Sequence, residues 1–334
     1  MAPTPEFCEK VIEIPDEIHG YNGNTGNLIT NNSVPINTPG ISEISDATAV
    51  SEVTPLTAII QGRKFPMIYR FRQNYAPYLA EFLGTLVLVF VGLSVVNQVL
   101  LSYSQIAGSW LSVNIGWGFS LSIAIYINSG VSGAHLNPAV TLAFAAFKRF
   151  PLRRVPGYIF SQLLGAFLAA CLVYSIFYPM LDQFDGGVRQ VSGPKSTAGF
   201  FATYPQEYLR NGNAFYTELL STALLVMGIF ASQEFQVADL AEFAPIFLGV
   251  LLMTIGICTG YLTSYSLNPA RDLGPRIFTS IAGWGSGVWT EHNYYFWVPL
   301  AGPIAGALLG GVIYELFICT KTPNIVRSAQ RVHA

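Results

Sequence analysis

Asn-Pro-Ala occurs twice in this chain of 334 residues, at Asn137-Pro138-Ala139 and at Asn268-Pro269-Ala270. The triplet carries a definite chemistry. An asparagine oxygen can accept from an orphan amide in the first turn of a helix, and proline suits the first helical position because the amide it lacks would have no partner there. The side-chain NH2 then remains to donate to something else. Each triplet follows a long apolar stretch, and three ionisable residues, Glu81, Glu218 and Arg271, also lie within or beside apolar sequence. Carboxylates inside apolar spans are costly and mark function or its support. Arginine stays charged and only donates, so beside a narrow aqueous path it binds hydroxyls and repels cations. A plain salt bridge from Arg271 to Asp272 is the competing reading. Neither a Ser/His/Asp set nor an HExxH pattern lies within the spans, so no catalytic residue is assigned and the chain is not expected to be an enzyme.

The elements that must position these groups are membrane helices. The chain is 51% hydrophobic and 11% charged, and its apolar residues come in blocks. Blocks of about 20 residues cross a bilayer, and six fit here: about 76–101, 110–129, 155–178, 214–232, 243–262 and 296–319. The runs after the two triplets, to about Phe147 and about Ile281, are too short to cross at about 1.5 Å per residue and read as re-entrant half-helices. Non-helical backbone at that depth is tolerated only where it is buried in protein or lines water. Gly133, Ala134, His135 and Leu136, with Ser264, Tyr265, Ser266 and Leu267, are therefore expected to present carbonyls along a path. Residues 179–212, with Asp182, Asp185, Gly186 and Gly187, read as a long outer loop.

Before the first span, residues 1–73 are rich in Asn, Thr, Pro, Gly, Ser and acidic groups and are expected to be a disordered cytoplasmic tail with a regulatory role, with Tyr69 or Tyr75 near the inner mouth. Residues 74–320 form the membrane domain and 321–334 a short C-terminal tail. Basic residues Arg63, Lys64, Arg70, Arg72, Lys148, Arg149, Arg153, Arg154, Lys321, Arg327 and Arg331 place both termini on the cytoplasmic side. The connection 233–242 dissents with Glu234, Asp239 and Glu242, but acidic residues weigh little in that rule. The sequon Asn31-Asn32-Ser33 would then face the wrong compartment. No signal peptide is expected from the first residues. Cys8, Cys171, Cys258 and Cys319 lack metal-ligand spacing and read as buried small residues, so no metal or cofactor is implied. A near-neutral charge points to no nucleic-acid partner.

The two halves repeat. Ala80-Glu81-Phe82-Leu83-Gly84-Thr85 resembles Thr217-Glu218-Leu219-Leu220-Ser221-Thr222, and Gly165-Ala166-Phe167-Leu168 resembles Gly306-Ala307-Leu308-Leu309. Three spans per half is an odd number, so the second half enters from the opposite side and the half-helices meet N-terminus to N-terminus. Both macrodipoles then put positive potential at the meeting point, and Asn137 and Asn268 offer donors to a solute oxygen there. Gly165, Ala169, Gly302, Gly306 and Gly310 are small residues that let helices approach closely.

Over about 75–319 the residues resemble the major intrinsic proteins, the aquaporin and aquaglyceroporin family: two Asn-Pro-Ala boxes, one followed by Val-Thr and one by Arg-Asp, on six spans with a Glu in the first and fourth. The resemblance implies an all-α membrane protein with six transmembrane helices and two re-entrant half-helices in an inverted repeat. It implies that Glu81 and Glu218 brace the two loops; a proton-relay role is the alternative. His135 is implied as a pore-lining donor, against a polar packing role. The narrowest part would fall on Trp117, Gly256, Tyr265 and Arg271, with Trp117 and Tyr265 as an aromatic corner rather than a belt at the membrane surface. Glycine at 256, where water-selective members carry histidine, implies a wider opening. Asp272, Arg276, Pro299 and Leu300 resemble marks of the glycerol-conducting branch, whereas Tyr265 departs from its usual phenylalanine. The implied activity is passive passage of glycerol, water and other small neutral solutes across the lipid bilayer, with the plasma membrane as the expected location, in a homotetramer. A water or hydrogen peroxide channel, and a non-conducting structural member, are the rival readings.

Overall fold

The computed structural model describes residues 67–102, 106–234 and 242–319. The tail before Met67, the sequon, Cys8, Asp239, Lys321, Arg327 and Arg331 lie outside the described residues.

The helices, in order, are α1 (Met67–Leu101), α2 (Trp110–Ser132), α3 (Pro138–Ala146), α4 (Val155–Asp185), α5 (Asn211–Gln233), α6 (Ala244–Thr263), α7 (Pro269–Ile281), α8 (Gly287–Tyr294) and α9 (Val298–Phe317). Among the described residues, six helices are long and apolar enough to span a membrane. Only α3 and α7 follow the Asn-Pro-Ala boxes, and both are half-length.

Packing shows the repeat directly. α1 packs on α2 and α4 as α5 packs on α6 and α9, while α3 lies against α9 and α7 against α4, so each half-helix is held by the last span of the other half. Two spans, α2 and α6, meet across the repeat. The small residues work at these crossings. A Cβ on Gly165 would collide with the carbonyl of Phe82, one on Gly306 with that of Leu219, and one on Gly310 with that of Ala223. Phe82 and Leu219 directly follow Glu81 and Glu218, so the close approach of α4 to α1 and of α9 to α5 occurs beside the two buried carboxylates. At the α2–α6 crossing a Cβ on Gly118 would stand 2.7 Å from the Gly249 carbonyl.

Three features depart from the sequence reading. α1 begins at Met67, ahead of the expected 76, and α4 runs past Tyr178 through Pro179 to Asp185. One proline removes one ladder bond, which a long packed helix withstands; α4 ends instead where Gly186 turns left-handed at φ 74° beside Asp185. α8 is an additional short helix, kinked at Glu291, His292 and Asn293. Of the cysteines expected to be buried, Cys258 is exposed and Cys171 only half-buried. A polarizable thiol tolerates an apolar exterior as well as a core.

Glu234, the first acidic residue of the connection after α5, has a structural partner. Glu234 pairs with Arg149 at 3.1 Å, Arg149 pairs with Glu315 of α9 at 2.9 Å, and the guanidinium lies 4.2 Å from the centroid of Phe230. Arg149 thus ties the end of α3 to α5 and α9.

Because backbone meets backbone at Gly306, substitution Gly306→Val should separate α9 from α5 and destabilise the fold by about 3 kcal/mol. Detergent-extracted variant protein should lose its monodisperse size-exclusion peak at temperatures where the parent keeps it.

Candidate functional site

The site is built where α3 and α7 begin. Asn137 caps α3 by accepting from the Ala139 amide at 2.8 Å, and Asn268 caps α7 by accepting from Ala270 at 2.9 Å and Arg271 at 3.3 Å. Their NH2 groups cross over: Asn137 Nδ2 donates to the Leu267 carbonyl and Asn268 Nδ2 to the Leu136 carbonyl, each at 2.8 Å. Each NH2, left free by the cap to donate elsewhere, thus meets the opposite loop. One of its two hydrogens ties the opposite loop and one remains. It also engages the Leu136 and Leu267 carbonyls, which were expected to face the path.

Each loop is held by one buried carboxylate. Glu81 accepts from the amides of His135 at 2.9 Å and Leu136 at 2.7 Å and from Gln162 at 2.7 Å. Glu218 accepts from Ser266 and Leu267, both at 2.9 Å, and from Thr263 at 2.7 Å. Both side chains are fully buried. In a planar trans peptide the N–H and C=O point oppositely, so amides aimed at a carboxylate turn the preceding carbonyls away from it. These are the carbonyls of Ala134 and His135 in one loop and Tyr265 and Ser266 in the other. The turn needs left-handed backbone at non-glycine residues: φ is 50° at Ala134, 54° at Leu136, 60° at Ser264, 32° at Tyr265 and 52° at Leu267. Such conformations persist only where neighbouring structure imposes them.

Two cavities of about 230 and 250 Å³ flank this region. The first is lined by Gly133, Ala134, His135, Leu136, Ser266 and Leu267, with both asparagines. Ser264 lines the second. Trp117, Tyr265 and Arg271 line both, so these three stand at the waist between them. Gly256 lines neither. A Cβ there would stand 2.9 Å from Tyr265 Cζ and collide with Asn114 Oδ1, so its vacancy is taken up by the tyrosine ring and Asn114. His135 is half-buried, stacked on Phe144 at 4.6 Å and 3.2 Å from Thr141 Oγ1, and both lines the cavity and packs. Trp117 and Tyr265 are 4% and 6% exposed, which removes the surface-belt reading.

Arg271 does not pair with Asp272. It donates to the Phe201 carbonyl at 2.9 Å and lies 4.6 Å from the Trp117 centroid. Asp272 pairs instead with Arg276 at 2.8 Å and accepts from the Thr203 amide at 2.8 Å and its hydroxyl. Arg276 donates in turn to the carbonyls of Thr203 and Val288. The buried pair therefore anchors the loop whose Phe201 carbonyl orients Arg271. Further up, Trp284 donates to Thr197 and Thr197 to Asp185, whose carboxylate also binds Arg189. Nothing in the sequence singled out Phe201, Thr203 or Asn114: a backbone acceptor such as the Phe201 carbonyl leaves no residue signature, and the side chains of Thr203 and Asn114 meet residues far away in the chain. Pro299 lies at the start of α9, buried, and half-buried Leu300 follows it; neither lines a cavity.

Six membrane-length helices enclosing two cavities, with two half-helices meeting between them, define an integral multi-pass membrane channel. The chain belongs to the major intrinsic protein family, whose sequence profile matches residues 69–314. It is 46% identical over 250 residues to Aquaporin-2 of Rhizopus delemar, covering 74% of this chain and 78% of the relative. It is 40% identical to Aquaglyceroporin-2 of Rhizophagus irregularis, covering 85% and 90%, and 41% identical to human Aquaporin-9, covering 74% and 83%. The solved aquaglyceroporin of Plasmodium falciparum superposes with a TM-score of 0.65 at 31% identity, covering 73% of this chain and 97% of that one.

Removing Asp272 as Asp272→Ala would leave the 1% exposed Arg276 without its partner, which is expected to destabilise by about 3–5 kcal/mol. Thermal unfolding in detergent should show a lowered midpoint for that variant.

Proposed function

We propose that this protein is a passive channel for glycerol, water and other small uncharged solutes that excludes ions and protons. The observation that carries the reading is the waist. Two aromatic faces, Trp117 and Tyr265, stand beside one guanidinium, Arg271, so a solute meets apolar surface on one side and hydroxyl-binding donors on the other. Glycerol has a carbon backbone on one edge and hydroxyls on the other, and suits such a lining. The kinship with aquaglyceroporins supports the same reading.

A solute leaving the waist reaches Asn137 and Asn268, each with a remaining amide hydrogen, and the carbonyls of Ala134, His135, Tyr265 and Ser266 supply acceptors along the way. A hydroxyl can exchange partners step by step, so it need not be fully desolvated. Cations are disfavoured twice. Arg271 forms no ion pair among the described residues, and the N-terminal ends of α3 and α7 add positive potential at the asparagines. No chemical step or coupling ion enters this account.

Both termini are assigned to the cytoplasm, supported by the cluster Lys148, Arg149, Arg153 and Arg154 between α3 and α4. Assembly as a homotetramer in the plasma membrane is part of the proposal, on the strength of the family kinship. The rival non-conducting reading is disfavoured because both asparagines and Arg271 line the cavities.

Proteoliposomes holding the purified chain should show glycerol and water permeabilities well above empty vesicles in stopped-flow light scattering, and traces indistinguishable from empty vesicles would overturn the proposal. A unit charge about 5 Å away at an effective dielectric of about 20 contributes about 3 kcal/mol. Arg271→Ala should therefore admit a cation or proton current in voltage-clamped bilayers while neutral solute flux persists.

A further inference from the structure

Both aromatic walls of the waist lie on glycine. On α1, a Cβ at Gly92 would collide with the six-membered ring of Trp117. On α6, a Cβ at Gly260 would stand 2.9 Å from Tyr265 Cε1 and 3.0 Å from Cγ, and would collide with Cδ1. Gly256, one turn earlier, would meet the other edge of the same ring, with Cζ at 2.9 Å and Cε2 at 3.0 Å. The tyrosine ring therefore lies along a shelf formed by two glycines four residues apart, which share one face of α6. Its position is fixed elsewhere too. The edge of Trp110 meets it at 5.9 Å and 87°, and its backbone is tied by the Ser266 amide on Glu218.

We propose that Gly92 and Gly260, which line neither cavity, are specificity-determining residues: the missing side chains beneath Trp117 and Tyr265 hold the waist open to a carbon chain. The proposal rests on the reading of the waist as the place where solute is chosen. Carbon atoms settle at about 3.5–4.0 Å, so a methyl group at Gly260 must drive the ring roughly 1 Å off its shelf. With the shelf behind it and Trp110 at its edge, the ring moves into the space shared by the two cavities. A methyl at Gly92 acts on Trp117 from the opposite wall. Misfit of a single methylene in a closed pocket alters selection by about 10–200-fold. Glycerol, the wider solute, bears that loss, whereas water still passes.

The test measures glycerol and water permeability side by side in proteoliposomes of matched protein content, for the parent, Gly260→Ala, Gly92→Ala, Tyr265→Leu and the double variant Gly260→Ala/Tyr265→Leu. Each glycine variant should lower glycerol permeability by about tenfold or more and water permeability by less than about threefold. Once the ring is removed, the methyl at 260 should be silent, so the double variant should match Tyr265→Leu in its glycerol-to-water ratio. An unchanged ratio in Gly260→Ala overturns the proposal. If Gly260→Ala does not fold, recovery of folded protein in the double variant supports the shelf, and failure of the double variant as well overturns it. A parent that passes water but no glycerol would defeat the proposed function instead. The shelf would then be read from water permeability alone, with a fall of less than about threefold in Gly260→Ala and recovery in the double variant as the supporting result, and no fall overturning it.

Discussion

Irregular backbone at the middle of a membrane is stable only if its polar groups find partners within the protein, and here two reciprocal bonds meet that need. Asn137 reaches the carbonyl of Leu267 and Asn268 that of Leu136, each at 2.8 Å. In hydrocarbon an unmatched amide or carbonyl costs several kcal/mol, so each half-helix is conditional on the other. The rest of the molecule serves that junction. Glu81 and Glu218 take up two loop amides each, and the glycine contacts at Phe82 and Leu219 bring a neighbouring span against the backbone just after each carboxylate. Loops held in this way can sustain left-handed backbone at five non-glycine positions.

The charges above the junction are arranged so that one arginine is balanced and the next is not. Arg276 is buried and matched by Asp272, whereas Arg271 has a carbonyl and an aromatic face for neighbours. A guanidinium held by a carbonyl and a π face, with no carboxylate beside it, keeps its net charge. The Asp272–Arg276 pair is not spent on Arg271 but on Thr203, which fixes the loop that holds Arg271. Two adjacent residues of opposite charge thus play parts in different layers of the same structure.

Much of this was legible in the chain. Span number, the two half-helices and the repeat follow from apolar block length and from the Asn-Pro-Ala pairs. Glu81 and Glu218 stood out because carboxylates are rare in apolar sequence. Gly256 was read as empty space, but its vacancy is filled by Tyr265 and Asn114, and the spacing of residues along α6 does not reveal that. The full length of α4 was also hidden, because Pro179 and the polar residues after it look like a stop until the helix is seen to close at Gly186. The Phe201 carbonyl left no trace, since every residue has one.

What the sequence determined by itself was the set of local rules: which segments are long and apolar enough to cross, where a helix can start with an asparagine cap, and that two odd-numbered halves must run in opposite directions. Those follow from propensity, length and composition, which are properties of neighbours in the chain. Only the tertiary structure decided which groups meet across it. Asn137 and Leu267 are 130 residues apart in the chain, and Arg271 lies 70 residues from Phe201. Their pairing depends on how the two halves interlock, with each half-helix resting on the last span of the other, and the width of the waist depends on glycines behind its walls. Such contacts are set by the packing of whole helices, so no local pattern encodes them.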